Sequence, residues 1–145
     1  MHSLLILALL MFAGPDRVVI GQVLDDFHKA ASDADEPRYF GHMAEEAVFL
    51  GTDATERWDR KTFREYAHPH FAAGKGWTYV PRDRHIDIHG DVAWFDELLD
   101  NAKYGECRGT GVLRKVGGTW KIVQYSLSIP IPNSVAGEVV KTIRK

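Results

Sequence analysis

Between Trp77 and Ile129 the chain spells four long segments: WTYVPRDRHIDIHG, DVAWFDELLDNAKYG, ECRGTGVLRKVGG and TWKIVQYSLSIPIP. Three short breaks separate them, at His89-Gly90-Asp91, around Lys103-Tyr104-Gly105 and at Gly117-Gly118-Thr119. Glycine at such points supplies a positive φ without steric cost. Strands joined this tightly run antiparallel, because a parallel pair needs a crossover of about a dozen residues or more. The chain must therefore contain a four-stranded antiparallel meander. Everything before Trp77 reads as helical cover for one face of that sheet.

The cover divides into three helices. Asp16 follows Gly14-Pro15 as an N-cap, and Ile20, Val23, Leu24, Phe27, Ala31 and Ala34 then recur at helical spacing, with His28 beside the stripe. Asp35 caps a second helix, with Pro37 in its first turn, where a missing N–H costs nothing, and Tyr39, Phe40 and Met43 on its apolar face. Ala47 to Leu50 reads as a short buried strand. Asp59 caps a third helix from Arg60 to about Phe71, with Phe63, Tyr66, Ala67 and Phe71 on one side. Pro69 is expected to kink it or end it near His68 by removing a backbone bond. At the far end, Ser134 is expected to cap a short helix that turns Val135, Val139, Val140 and Ile143 inward.

Alternation along the strands is imperfect, and the imperfection carries information. In the last strand Trp120, Ile122, Gln124, Ser126 and Ser128 oppose Lys121, Val123, Tyr125, Leu127 and Ile129, so neither face is cleanly polar. In the strand from Val92, one face carries Asp96 and the other Glu97. One of the two acids must face the covered side. There it costs several kcal/mol unless it is paired or the space is wet. Arg82 and Arg84, alternating with Asp83 and Asp87, read as a solvated, charge-laced strand.

A chain of 145 residues is naturally one domain, over residues 15–145, and buries enough surface to need no staples. Its net charge of −2 gives no basic footprint for nucleic acid. The single cysteine, Cys107, excludes an internal disulfide framework. Leu4 to Ala13 is an apolar run far too short for a membrane span. It reads as the core of a secretory leader over residues 1–14, which places the mature chain outside the cytoplasm; a retained N-terminus would leave it cytoplasmic. His85, Asp87 and His89 share a strand face, but histidines four residues apart on a strand lie about 13 Å apart, too far for one metal. No metal is implied. No glycine-rich phosphate loop opens a helix after a strand, so no nucleotide cofactor is indicated.

The element order, together with Phe40 to Leu50, the opening Gly90-Asp91-Val92-Ala93-Trp94-Phe95 and the hairpin Gly118-Thr119-Trp120-Lys121-Ile122-Val123, resembles the SnoaL-like branch of the nuclear transport factor 2-like superfamily. The resemblance covers about Val18 to Pro132. It implies an α+β cone, in which a curved antiparallel sheet wraps around N-terminal helices and leaves a pocket open at one end. It also implies a homodimer formed through the outer sheet face. The superfamily holds isomerases, dehydratases, hydrolases and cyclases beside members that only bind or assemble, so fold does not fix chemistry. Its enzymes work alike, with a pocket acid or base beside a Tyr, His or Arg that polarises the substrate. Relatives often carry His near the end of the last strand, where this chain has Gln124, Tyr125 and Ser126.

The candidate catalytic residues are Glu97, Asp53 and His68, and the candidate ligand contacts are Arg108, Tyr125, Gln124 and Trp77. Glu97 and Arg108 lie on neighbouring strands, as a substrate clamp or as a structural ion pair. Asp53 stands where a loop would line the pocket mouth, or simply in a turn. His68, oriented by a carboxylate such as Asp53, is a candidate base, or else ends its helix. Trp58, Trp77, Trp94 and Trp120 supply core or cavity wall. The reading is a cofactor-free pocket protein for a small apolar carbonyl compound, of isomerase, dehydratase or hydrolase type. Its alternative is a non-catalytic ligand-binding or dimeric assembly module.

Overall fold

The computed structural model describes residues 3–145, with side chains from Gly14 onward. The expected leader therefore lies, but for Gly14, outside the side chains described. The elements in chain order are α1 (Ser3–Ser32), α2 (Glu36–Gly41), β1 (Met43–Leu50), β2 (Arg57–Asp59), α3 (Arg60–Ala72), β3 (Val80–His89), β4 (Val92–Asn101), β5 (Gly105–Val116), β6 (Thr119–Ser128) and α4 (Ala136–Ile143). Among the described residues, no helix is long and apolar enough to cross a membrane.

The strands form one curved, unclosed sheet in the order β2-β1-β6-β5-β4-β3. The meander β3 to β6 is antiparallel throughout, as the turns require. The sheet is nevertheless mixed, because β1 runs parallel to β6. That pairing is open to β1 because the elements that separate it from β6, α3 among them, are a long enough crossover. The result is an α+β cone with α1, α2 and α3 on its concave side.

Local rules account for most boundaries. Asp35 caps α2 by accepting from the Arg38 N–H at 3.2 Å, and Asp59 caps α3 by accepting from the Thr62 N–H at 2.8 Å. Pro69 does not stop α3, which runs on to Ala72. Asp16 is not a cap but lies inside α1, which also holds Pro15. Its carboxylate accepts from the Trp120 indole N–H at 3.0 Å and from Lys115 Nζ at 3.1 Å, tying α1 to the β5–β6 hairpin. Those bonds hold the Asp16 carboxyl below its ordinary range.

Ile20, Leu24, Phe27, Ala30 and Ala31 of α1 are buried against Phe95, Leu113 and Ile122 of the sheet. A stacked aromatic series, Trp58, Phe63, Phe49 and Tyr125, runs from β2 through α3 and β1 to β6 with centroid spacings of 4.0–5.6 Å. Helix α4 departs from expectation. It buries no residue, and Ile143 is 74% exposed. Trp94 likewise faces outward rather than supplying core.

Two one-residue bulges set the sheet's inner face. In β6, Gly111 opposes Tyr125 and Val112 opposes Gln124, but Leu113 opposes Ile122. Val123 is the extra residue, so Trp120, Ile122 and Tyr125 all face inward despite breaking strict alternation. In β3, Arg82 opposes Leu98 and His85 opposes Asp96, leaving Asp83 and Arg84 together opposite Glu97. Asp83 takes the strained left-handed conformation, φ 49°. Arg82 and Arg84, two residues apart, thereby point to opposite sides of the sheet. Arg82 pairs with Asp100 and Glu106 outside, and Arg84 pairs with Glu97 inside.

Candidate functional site

Glu97 is the centre of the polar interior. It stands on β4 in phase with Ala93, Phe95 and Leu99, and is 1% exposed. Its two oxygens are fully claimed. Oε1 accepts from His28 Nε2 at 2.6 Å and from the Tyr125 hydroxyl at 3.1 Å, while Oε2 accepts from Arg84 Nε at 2.7 Å. Arg84 in turn donates to Asp25 at 2.7 Å and to the Gly21 carbonyl at 3.1 Å, so α1 and β3 are locked through one guanidinium. Burial alone would raise the Glu97 pKa, but the bonds and charges of His28 and Arg84 outweigh it and hold the carboxyl below its ordinary range.

An ionised carboxylate only accepts, so His28 Nε2 carries a proton and Nδ1 is the ring's remaining nitrogen. No described residue bonds Nδ1. Tyr125 is driven far above its ordinary pKa, first by burial and then by the Glu97 charge, and stays a donor.

His28 and Tyr125 form part of the wall of a cavity of about 350 Å³, and Glu97 and Arg84 lie behind them. Phe27, Tyr39, Phe49, Phe63 and Trp77 complete its interior. Burial pushes the Tyr39 hydroxyl well above its ordinary range, keeping it protonated as well. The cavity opens among three turns: the β1–β2 turn with Glu56, the segment after α3 with Lys75, and the β4–β5 turn with Lys103 and Tyr104. Among the described residues, no group of three or more His, Cys, Asp or Glu is placed to hold a metal ion.

Gly109 makes room for this arrangement. A Cβ there would overlap the Tyr125 hydroxyl and sit 3.1 Å from Glu97 Oε1. The Tyr125 ring cannot yield, being packed between Phe27, Phe49 and Phe95. Gly109→Ala is expected to cost about 1–3 kcal/mol through overpacking, read by urea denaturation. Gly137→Ala, where a Cβ meets nothing within 4 Å, is the control and should cost nothing.

A family model described as the SnoaL-like domain matches residues 20–132. The chain belongs to the SnoaL-like family. Solved structures agree at the level of fold. A Mycobacterium tuberculosis protein of unknown function superposes with a TM-score of 0.72 at 20% identity, covering 88% of this chain and 79% of its own. A nuclear transport factor 2-like protein with a cystatin-like fold from Novosphingobium aromaticivorans gives 0.68 at 15%, covering 97% and 98%. A candidate dehydratase of the same superfamily from Streptomyces avermitilis gives 0.68 at 15%, covering 81% and 99%. A search of curated proteins gives no match.

Within this SnoaL-like chain the sequence-derived candidates separate. Trp77 and Tyr125 line the cavity. Arg108 does not pair with Glu97; it opposes Leu98 and Ser128 and lies exposed on the outer face, and Arg84 holds the acid instead. Gln124 also faces outward, because the bulge at Val123 turns it there. Asp53 closes its own turn, accepting from the Thr55 N–H at 2.8 Å and hydroxyl at 2.6 Å. His68 is exposed and bonded to Glu36 at 2.7 Å, in a charged surface groove away from the cavity. Its expected orienter, Asp53, is not its partner. Tyr125 spends its hydroxyl on Glu97, so it does not stand free to polarise a ligand.

Sequence reasoning missed His28 and Arg84. Both left a signal. His28 follows Leu24 by four residues, which puts it on the buried stripe of α1, and Arg84 shares the parity of the inward Ile86 and Ile88.

Proposed function

We propose that this SnoaL-like protein binds a small, largely aromatic carbonyl compound in its cavity and removes a proton from it, without a cofactor. The observation that carries this reading is the 2.6 Å contact between His28, in the cavity wall, and Glu97, buried behind it. A carboxylate that fixes one imidazole nitrogen leaves the other with its lone pair available as a general base. Tyr39, whose hydroxyl stays protonated, and Trp77, whose side chain bonds to it, belong to the same walls, and the Tyr39 hydroxyl is suited to donate to a carbonyl oxygen that gains charge as the proton leaves. Isomerisation, dehydration and hydrolysis can all use such a base. The test is hydrogen–deuterium exchange of the acidic methylene of 2-tetralone in D2O, followed by NMR. Protein-dependent exchange supports the reading, and exchange no faster than in buffer overturns it.

We infer further that two copies pair through the outer sheet face, where Val92 and Trp94 stand 41% and 48% exposed beside Val112. Trp94→Glu should convert a dimer to a monomer in sedimentation velocity while the circular dichroism of the folded chain is kept, and should remove the concentration dependence of the melting temperature. A wild-type protein that sediments as a monomer would remove the inference.

A further inference from the structure

The cavity's two ends differ in charge. Its inner end is occupied by groups already satisfied among themselves: Glu97 is paired with Arg84 and accepts from His28, and Arg84 is paired with Asp25 as well. Its mouth is not neutralised. Lys75 and Lys103 both line the opening, and neither has a carboxylate within 4 Å among the described residues. Both are held in place locally. The Lys75 backbone is tied to the end of α3 through its N–H on the His70 carbonyl at 2.9 Å. The Lys103 ammonium lies 4.8 Å from the Tyr104 ring centroid, in a cation–π contact, and its backbone N–H bonds Asn101 Oδ1 at 3.0 Å. The one acid at the mouth, Glu56, is turned back on its own loop, where it accepts from the Asp53 N–H at 3.1 Å. Two lysines against one committed glutamate leave the rim net positive on a chain whose overall charge is −2.

Between the ends lies an aromatic corridor. Trp77, Tyr79, Tyr66 and Trp58 connect the rim to Tyr39 and Phe49. Flat rings favour stacking or edge-on contact with a flat guest. A guest that spans this corridor meets cations at the mouth and the His28 base at the inner wall.

We propose that the ligand is an aromatic acid: a planar ring system carrying a carboxylate that rests against Lys75 and Lys103, with its reactive carbonyl or hydroxyl end directed inward to His28. The assignment rests on the cavity being the binding site, and adds to that reading the charge and orientation of the ligand. The rim lysines select the anion, and the corridor selects the ring. Exposed ion pairs are weak and screened by salt, so selectivity is modest and falls as ionic strength rises.

The experiment compares two probes of similar shape, 2-naphthoate and its neutral counterpart 2-acetylnaphthalene, by isothermal titration at low and high sodium chloride. Wild-type protein should bind the naphthoate about three- to tenfold more tightly than the ketone at low salt, with the gap closing at high salt. Lys75→Gln/Lys103→Gln should weaken the naphthoate by that factor and leave the ketone within about twofold. Equal affinity of the two probes for wild type, or a double variant that weakens both alike, overturns the proposal and leaves the cavity as the binding site. If neither probe binds, the cavity reading fails and takes the proposal with it. Absence of tetralone exchange alongside selective naphthoate binding would sink the proton-removal step alone and support the anion selectivity.

Discussion

Glu97→Leu is expected to lower the melting temperature by about 10 °C at pH 7. The leucine is close enough in size to fill the space, so the loss is electrostatic. Removing one partner of a buried ion pair leaves the other charge without compensation, at a cost of about 3–5 kcal/mol. The lower end applies here, because Arg84 keeps Asp25 and the Gly21 carbonyl. For a domain of this size each kcal/mol moves the midpoint by roughly 3–4 °C. His28 and Tyr125 also lose their acceptor, with no other protein partner in reach among the described residues. Thermal unfolding followed by circular dichroism decides it; a midpoint within about 2 °C of wild type would contradict the buried-charge account.

The same group has a pH signature. Burial acts to raise the Glu97 pKa, but the His28 and Arg84 interactions prevail and the folded value lies below the ordinary 4.5. A carboxyl with a depressed folded pKa binds fewer protons folded than unfolded. Its contribution is therefore complete above about pH 4.5 and is lost as pH falls through the folded value. The stability difference between wild type and Glu97→Gln should be constant near neutrality and shrink below about pH 4.5. Other acids with lowered pKa, Asp26 and Glu36 among them, cancel in that difference.

The second large effect belongs to His28. Under the proposed proton removal, His28→Gln should reduce protein-dependent exchange of 2-tetralone by about 10²–10⁴-fold, the usual contribution of a positioned general base. Glutamine keeps an N–H that can serve Glu97, so the fold should survive. A variant that still exchanges at the wild-type rate would show that the imidazole is not the base. Glu97→Gln provides the complementary reading. It retains His28 but removes the charge that fixes its Nε2–H, so exchange should fall by less than in His28→Gln.

The cone was legible in the sequence because its determinants are local: glycine-bearing turns spaced one strand apart, aspartates at helix starts, and apolar residues at helical spacing. Glu97 was legible too, since Asp96 and Glu97 are adjacent on one strand and one of them had to face the core. Its partners were obscured by one-residue irregularities. Strict alternation groups Arg82 with Arg84 as a solvated pair, yet the bulge at Asp83 divides them. It also groups Gln124 with Trp120 and Ile122, yet the bulge at Val123 sends Gln124 out and Tyr125 in. Arg108 looked like the natural counter-ion because it is one register step from Glu97. That single step is enough to place it on the other side of a pleated sheet. The exposure of α4 has no counterpart in its pattern, which reads as an ordinary amphipathic helix; none of its residues is buried by the rest of the described chain.

Asp83 and Val123 are also removable in principle: excise either, and the strand resumes regular pleating with the same residues facing the helices. A cousin lacking one of them would keep an equivalent interior while being one residue shorter. Lining up two such chains without a gap would then slide the exposed Asp83 onto the slot of Arg84, or Gln124 onto that of Tyr125. Homology arguments about this pocket therefore depend on where the gaps are opened, and counting along the chain is a poor guide to which residue meets the acid.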